Sequence, residues 1–473
     1  MNKNNFSFYK PERFFRPVGC IIYIPIFVLI LVIIFSFSSQ SKNSTFNIEH
    51  SSFNIQNSPD SSDFQEDYYE KKIPLMYENF VYKKNIKTAL LHLDGNELSQ
   101  PIAPIGSSMK LSFDELDADL INYSYTFVHC DAEWKPSEIS QSYFMDGFYD
   151  NYISEYAFSF NTMQQFVHYE VIFPNEKIKL KISGNYLLKV FENNDTSNLV
   201  LTKRFSYYEQ WVSIDAKVSR PAVFDYRNYK HEIDFTINLS DEHPILNPFG
   251  DLKVVLMQNF RWDNAITNLK PQFINDKQLI YDYNEENIFA GENEYRNFDT
   301  RSFRFKTQEV SENKYKNSKN HTYLYTDEKR SFDRYMIIPD INGNYLVKNN
   351  DGGRDEIESD YTFVHFYLNF PNALLDGEMY IFGALSDWNF KEECKMKFIQ
   401  NGKYYTDSIY LKQGYYNYAY SFLKTGEKSG DNTLIEGMHF ETENNYTILV
   451  YLKEMSSNYQ RLVGVRTINS NRF

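Results

Sequence analysis

The sequence predicts an all-β protein of tandem β-sandwich domains that follow an N-terminal apolar export segment. Aromatic residues make up 18% of its 473 residues, with 39 Tyr and 40 Phe, and aromatic side chains are typical of strands. Over most of the chain, short runs of alternating apolar and polar residues end at turns of Gly, Asn, Asp or Pro. Beyond the N-terminal segment no stretch has a sustained 3.6-residue pattern, so we expect no helical layer.

The N-terminus has the charge and apolarity of a segment that directs export. Four basic residues precede an almost unbroken apolar run at residues 18–35. We therefore predict a signal peptide or signal anchor at residues 1–40. Cleavage is favoured because small residues follow the run, whereas its length also suffices for uncleaved membrane attachment. Cys20 does not predict a lipoprotein, because a lipidated cysteine would have to follow the apolar run and Cys20 lies at its start.

A polar tether and the first domain come next. Residues 41–75 are rich in Ser, Asn and acids and have few apolar residues, which predicts a flexible tether. The first β-sandwich domain is predicted at residues 76–208. Within it, residues 122–134, NYSYTFVHCDAEW, alternate with period two, as a strand with one buried face does.

Two further sandwiches are predicted in the rest of the chain. Successive strand patterns separated by Pro, Asn and Asp turns place a second domain at residues 209–346. A C-terminal domain is predicted at residues 347–473. It contains five strand patterns: YTFVHFYLNF, GEMYIFGAL, KYYTDSIYL, GYYNYAYSF and NYTILVYLKE.

Charge and cysteine content exclude several classes of protein. The formal net charge of -14 is opposite to what a nucleic-acid partner needs, because phosphate binding requires a basic face. Only Cys130 and Cys394 follow the export segment, and they lie far apart, so no disulfide framework is expected. The chain has no Cys or His spacing typical of zinc sites.

A cluster of His129, Cys130, Asp131 and Glu133 invites a catalytic interpretation. A nucleophilic Cys needs its base across space, and neighbours on one strand point to opposite faces. We therefore expect a buried thiol beside a hydrogen-bonded His. The sequence predicts a protein that is not an enzyme.

The segment LSFDELDADL contains four acidic residues: Asp114, Glu115, Asp117 and Asp119. A Ca²⁺ loop requires a Gly turn that this segment lacks, so we expect a solvated turn. Among the many other acids, proximity in sequence selects no catalytic pair, and a hydrolase with an unseen carboxylate pair stays an open alternative. No catalytic, cofactor-binding or metal site is predicted.

The C-terminal domain offers a possible glycan site. GEMYIFGALSDWNF and LKQGYYNYAYSF resemble early-set, immunoglobulin-like sandwiches that include glycogen-binding modules. The resemblance gives Trp388, Tyr416 and Tyr418 as candidate glycan-binding residues. A second Trp expected near the end of the later strand is missing. An exported glycan-binding protein is therefore the alternative function.

Long segments of the chain resemble the plug protein family of the Bacteroidetes type IX secretion system. In the first domain these are residues 111–148, SFNTMQQFVHYEVIFPN and SGNYLLKVFENND. In the second they are NPFGDLKVVLMQNFRWDNAI and FAGENEYRNFD, and in the third LKQGYYNYAYSF, IEGMHFETENNYTILVY and LVG. The resemblance thus spans nearly the whole body.

The resemblance implies a periplasmic protein associated with the outer membrane. Such a plug binds the giant outer-membrane β-barrel translocon and closes its periplasmic opening when no substrate is passing. It needs no cofactor. We predict that the loop at residues 131–150 contacts the partner, with filling of the first sandwich as the alternative for its aromatic residues. The candidate partner-binding residues are Trp134, Tyr143, Phe144, Phe148 and Tyr149.

Overall fold

The computed structural model describes residues 73–453 and 457–471. The predicted export segment and nearly all of the predicted tether lie outside the described residues. Within them, the chain forms 29 β-strands and four α-helices of a single turn each, which confirms the prediction of an all-β protein. No helix among the described residues is long and apolar enough to cross a membrane.

The strands follow one another closely along the chain. The first twelve are β1 Phe80–Val81, β2 Ile86–Leu93, β3 Ile102–Pro104, β4 Met109–Glu115, β5 Tyr123–Cys130, β6 Met145–Gly147, β7 Asn151–Tyr152, β8 Glu155–Phe158, β9 Val167–Phe173, β10 Ile178–Leu180, β11 Gly184–Glu192 and β12 Leu199–Tyr208. The next six are β13 Val212–Ser219, β14 Lys230–Leu239, β15 Leu252–Gln258, β16 Phe273–Asn275, β17 Gln278–Tyr281 and β18 Ile288–Ala290. The last eleven are β19 Arg296–Asp299, β20 Val310–Lys316, β21 Lys319–Leu324, β22 Tyr345–Val347, β23 Tyr361–Asn369, β24 Gly377–Phe382, β25 Lys397–Ile399, β26 Tyr404–Lys412, β27 Gly414–Lys424, β28 Asn445–Leu452 and β29 Arg461–Asn469.

The helices are short turns in the connections. They are α1 Gln141–Phe144, α2 Pro248–Asp251, α3 Asp355–Glu358 and α4 Thr433–Glu436. Three 3-10 turns lie at Phe224–Tyr226, Ala384–Ser386 and Glu392–Cys394.

The first sandwich has two mostly antiparallel sheets. One sheet has the order β1-β12-β11-β5-β7, with β3 beside β12, and the other has the order β2-β4-β9-β8. Aromatic side chains fill the space between them, and Tyr186 stacks on Phe205 at 5.3 Å between ring centroids. A hairpin of β6 and β10 closes one end. Large aromatic side chains in period-two strands therefore build this core.

The second sandwich includes strands from the end of the chain. One of its sheets has the order β13-β14-β17-β16, with β18 beside β14, and the other has the order β15-β28-β29. Val254 opposes Val450 and Leu256 opposes Ile448 across the β15–β28 pair. These residues belong to one hydrophobic core with Ile233 and others from β14.

The third sandwich lies between β18 and β28 in the sequence. One of its sheets has the order β20-β21-β23-β26-β25, and in the other β27 pairs with β19, β22 and β24. Its core includes Phe298, Phe366 and Tyr420. The predicted division at residues 209–346 and 347–473 stays a prediction. The strand pairing favours another division, in which a segment of about residues 295–437 is inserted into the second sandwich.

The first and second sandwiches share a buried interface. The outer face of the β15–β28–β29 sheet packs on the first domain through Ala132, Met257, Tyr451 and Leu462. The Tyr451 hydroxyl donates to Asn185 Oδ1 on β11 at 2.9 Å. The loop after β5 is therefore partly an internal surface.

Candidate functional site

The predicted partner-binding loop is divided between the interior and the surface. Trp134 is only 5% exposed, and its ring meets the Trp262 ring edge to face at 5.2 Å. The Arg204 guanidinium lies 4.4 Å from the centre of the Trp134 ring. Trp134 thus belongs to the interface between the first two sandwiches, and its prediction as a partner contact is wrong.

Phe144 is also buried. It ends the single turn of α1, is 3% exposed, and packs near the rings of His129 and Tyr186. A buried ring has no area to offer a partner, so the prediction is wrong for Phe144 as well. The alternative, that the loop aromatics fill the first sandwich, is correct for Phe144, whereas Trp134 packs against the second sandwich.

The other three candidates lie on the surface. Tyr143, Phe148 and Tyr149 are 51%, 70% and 48% exposed. The Tyr143 ring packs against the Tyr459 ring at 5.4 Å between centroids, and about half of the Tyr143 residue remains exposed to solvent. These residues have the exposure that a partner contact needs, and their role stays a prediction.

The exposed aromatic residues continue well beyond the predicted loop. Strands β7 and β8 and the turn after them add five exposed large apolar side chains, which the sequence reasoning missed. The alternation of aromatic residues in EYAFSF was the available signal. We call the whole set the aromatic surface: Tyr143, Phe148, Tyr149, Tyr152, Tyr156, Phe158, Phe160 and Met163.

The segment that carries the aromatic surface is acidic in sequence. Residues 136–176 contain six acidic side chains and no Lys or Arg. Among the described residues, only Glu170 of these six forms an ion pair with a Lys or Arg, with Lys110 at 2.6 Å. Lysines also lie beside part of this surface, because Lys179 opposes Asp146 in the β6–β10 pair and Lys181 Nζ donates to the Ser142 carbonyl at 2.6 Å. Glu155, on β8, forms no ion pair among the described residues and would complement Arg or Lys on a partner.

The predicted glycan platform does not exist in the folded domain. Tyr416 and Tyr418 are buried, and Tyr416 is stacked between Phe298 and Tyr345 at 5.0 and 4.9 Å. A sugar cannot reach either ring, so the prediction is wrong for both tyrosines. The strand that carries them, β27, is central to its sheet, which buries side chains on the inner face.

Trp388 is half-buried against the same domain. Its ring meets Tyr295 at 6.1 Å and Phe382 at 5.7 Å, in both cases edge to face. A Cβ on Gly343 would come within 2.3 Å of its Cη2 atom. Trp388 therefore packs against Tyr295 and Phe382 within the protein.

His129 and Cys130 lie on opposite faces of β5, as predicted. The His129 ring contacts the Ser137 hydroxyl at 2.8 Å and the Ser183 carbonyl at 3.2 Å, and burial lowers its pKa to about 4. Burial, with Asp131 nearby, raises the pKa of the Cys130 thiol to about 12. The prediction of a buried thiol near a hydrogen-bonded His is confirmed.

Neither cysteine should react with a thiol reagent in the folded protein. Cys130 and Cys394 are fully buried, and burial raises the pKa of each thiol to about 12, so the reactive thiolate is absent at neutral pH. We expect no labelling by a maleimide at pH 7 over an hour and complete labelling in urea, measured by mass spectrometry on the chain without residues 1–40. Fast native labelling of Cys130 would contradict this packing.

The acidic cluster after β4 is not a solvated turn throughout. Asp114 and Glu115 are the last residues of β4 and are completely buried, so the prediction is wrong for these two. Glu115 accepts the backbone N–H groups of Asp117 and Asp119 and so holds the following turn. Asp114 instead pairs with Lys412 Nζ at 2.6 Å on the third sandwich.

One other group of acids lies close together on the second sandwich. Oxygen atoms of Glu232, Asp234 and Asp282 fall within 4.8 Å of one another. Carboxylates in such a group suit a hard cation such as Ca²⁺. Lys217 Nζ, however, lies 3.3 Å from Asp234, and Asn287 Nδ2 donates to the same carboxylate. Asp234 therefore already has an ion pair and a hydrogen bond within the protein.

A family model matches the part of the chain that carries the aromatic surface. It is described as the type 9 secretion system plug protein 1st domain, and it matches residues 86–209. The chain belongs to the type IX secretion system plug protein family. No curated protein matches it in sequence.

A solved structure extends the similarity of this plug-family chain over most of its length. A hypothetical protein from Parabacteroides merdae is 33% identical, with a TM-score of 0.81. The alignment covers 84% of this chain and 100% of that chain. The tandem sandwiches are therefore shared by both proteins.

Family membership sets the broad role of the protein. It has a plug role within the type IX secretion system, in association with another component of that system, and its place is the cell envelope. The family match indicates a structural role. The matched segment ends at residue 209 and so coincides with the first sandwich, where the aromatic surface lies.

Proposed function

We propose that this plug-family protein is a non-enzymatic periplasmic stopper. It is exported by its N-terminal segment, binds the outer-membrane β-barrel translocon of the type IX secretion system, and closes the periplasmic opening when no substrate is passing. The aromatic surface is the observation that carries the proposal. Eight large apolar side chains are exposed within residues 143–163, and soluble proteins seldom expose so many together unless they bind a partner.

The composition of the surface fits an interface that can open again. A plug must leave when substrate arrives, so its contact has to be specific without being permanent. Non-obligate interfaces combine a few aromatic anchors with a polar rim, and the aromatic surface with its neighbouring acids has this composition. Tyr and Phe supply large contact areas while only two side-chain torsions are fixed.

A rigid body supports the same role. The three sandwiches are joined by buried ion pairs, among them Asp114–Lys412 and Lys203–Asp387 at 2.6 and 2.5 Å. A stopper with fixed internal geometry closes an opening whenever its docking face is bound. Flexible joints between the sandwiches would let the opening leak while contact was kept.

Loss of the exposed aromatic side chains should abolish capture of the translocon. The full-length tagged protein, purified from detergent-solubilised envelopes, should recover the barrel. The triple variant Tyr143→Ser, Phe148→Ser and Tyr149→Ser should recover at least about tenfold less, since aromatic anchors at interface centres are each worth about 1–2 kcal/mol or more. Entry of a large hydrophilic antibiotic into cells with the triple variant should increase in parallel.

The control replaces aromatic residues elsewhere that are even more exposed. Phe224 and Phe332 are 82% and 92% exposed and lie on the second and third sandwiches. Serine at these positions should leave capture unchanged. The proposal fails if wild-type protein repeatedly recovers no barrel, or if the control and the triple variant lose capture equally.

A further inference from the structure

We propose that the free edge of strand β8 accepts an extended, basic β-strand from the secretion-system partner. The inference rests on the proposed function, because it specifies how the aromatic surface engages that partner. Addition of a strand to an exposed sheet edge gives affinity through main-chain hydrogen bonds and specificity through alternate side chains.

The hydrogen-bond pattern of β8 leaves one edge open. β8 is the last strand of its sheet and pairs with β9 alone among the described strands. The Ser159 N–H donates to the Phe166 carbonyl at 2.9 Å, and Phe158 opposes Val167 in the register. Main-chain groups alternate in direction along an antiparallel strand. Those of Tyr156 and Phe158 therefore point away from β9.

The next outward amide shows what this edge can bind. The Phe160 N–H donates to the carbonyl of Ile357, in the helix α3 of the third sandwich, at 2.9 Å. One peptide carbonyl from the third sandwich thus already accepts a hydrogen bond from this edge. The open stretch ends there, and it comprises the two outward-facing residues Tyr156 and Phe158.

The side chains at the open edge extend the core of the sandwich. Tyr156 and Phe158 oppose Tyr169 and Val167, which face the core, so all four lie on the inner side of the sheet. Tyr156 and Phe158 are nevertheless 47% and 55% exposed. The facing sheet ends in the two-residue strand β7 and does not cover them. An added strand with apolar inward side chains would cover this uncovered end.

The edge also lacks the usual protection against strand addition. Proteins protect exposed edges with Lys, Pro, bulges or covering loops. The sequence of β8 is EYAF, its pairing with β9 is regular, and its one charged residue is Glu155. Glu155 has no ion pair among the described residues, whereas Asp150 interacts electrostatically with Lys189. A strand with Lys or Arg on its outward face complements the charge of Glu155.

Proline at the two outward positions tests the main-chain contacts. Tyr156→Pro and Phe158→Pro each remove an outward N–H and leave the bonds to β9 intact, while Tyr156→Ala and Phe158→Ala remove the ring and keep the N–H. We expect each Pro variant to capture at least about tenfold less barrel than the Ala variant at the same position. Melting temperatures within a few degrees of wild type would show that the variants fold.

Hydrogen exchange gives a second measurement on the wild-type chain. In the purified complex with the barrel, the Tyr156 and Phe158 amides should exchange at least about tenfold more slowly than in the free protein. The amide of Ala157 faces β9, and its change should be much smaller. Charge reversal at Glu155→Lys should weaken capture more at low salt than at high salt.

The outcomes separate this inference from the proposed function. If wild-type protein captures the barrel while Pro and Ala variants behave alike and the two amides gain no protection, strand addition is wrong and the plug function stands. If wild-type protein captures no barrel, both are wrong. If the Pro variants unfold, the hydrogen-exchange result on wild-type protein decides.

Discussion

Replacing Asp114 by Ala should lower the free energy of unfolding by about 3–5 kcal/mol, because it leaves a buried ammonium without its counter-charge. Lys412 Nζ lies 2.6 Å from Asp114 Oδ2, and both side chains are only 1% exposed. The Tyr361 hydroxyl donates to the same oxygen at 2.7 Å, and His168 Nδ1 lies 2.6 Å from the other one.

Equilibrium unfolding in urea measures this effect on the chain without residues 1–40. The double variant Asp114→Leu with Lys412→Met should recover part of the loss, since apolar groups can replace a buried ion pair at little cost, while the Tyr361 hydroxyl and His168 Nδ1 lose their acceptor. Lys277→Met removes a surface pair with Asp241 and should leave the free energy unchanged. If Asp114→Ala behaved like Lys277→Met, the ion pair would not hold the junction between the first and third sandwiches.

The same site predicts a dependence on pH. Burial opposes ionisation of Asp114, but Lys412 and the His168 hydrogen bond hold the pKa of its carboxyl below the ordinary value. A lowered folded-state pKa contributes stability that is complete above the unfolded-state pKa of about 3.9 and is lost as the pH falls below it. The difference between wild type and Asp114→Asn should therefore shrink below about pH 4.

The sequence predicted strands well because their signal is local. In the predicted C-terminal domain, alternation and turn residues predicted β23, β24, β26, β27 and β28 but missed β25 and β29. Alternation does not say which strand pairs with which. β28 is the next strand after β27 in the sequence, yet it pairs with β15 about 190 residues earlier. The partner of a strand is set by long-range packing that no local pattern contains.

Burial of polar residues was the second thing that the sequence could not show. Asp114 stands in LSFDELD among other acids, and composition alone predicts solvent exposure there. Its counter-charge, Lys412, lies 298 residues further along the chain. Conversely, Trp134 and Phe144 stand in a loop-like stretch, where aromatic residues suggest a contact surface. The second sandwich covers Trp134, and α1 turns Phe144 inward.

The family resemblance in the second domain has a structural explanation. The segments NPFGDLKVVLMQNFRWDNAI and FAGENEYRNFD are separated in sequence but meet at one buried cluster. Arg261 and Asp263 come from the first segment, and Glu292 comes from the second. Gly291 is needed beside them because a Cβ there would lie 2.1 Å from the His439 carbonyl oxygen. Arg261, Asp263 and Glu292 thus form a buried cluster that joins the second sandwich to Phe382 and Asn432 of the third.

Replacing Arg261 by Met should also cost about 3–5 kcal/mol of unfolding free energy, because two buried carboxylates would then lie side by side without a cation. The guanidinium is 1% exposed, donates to Glu292 at 2.6 Å and to Asp263 at 2.8 and 3.0 Å, and lies 4.9 Å from the Phe382 ring centre. Arg261→Lys should recover only part of the loss, since an ammonium cannot bind Asp263 with two parallel hydrogen bonds.

The pH dependence of the Arg261→Met variant distinguishes lost charge from lost packing. Burial already raises the pKa of Glu292 despite the nearby guanidinium, and removing Arg261 raises it further. A carboxyl with a raised folded-state pKa takes up a proton on folding, so stability increases as the pH falls through that pKa toward the unfolded-state pKa of about 4.3. Urea unfolding at pH 7 and pH 5 should therefore show a smaller deficit for the variant at pH 5. An equal deficit at both pH values would mean that Arg261 acts through packing on Phe382 alone.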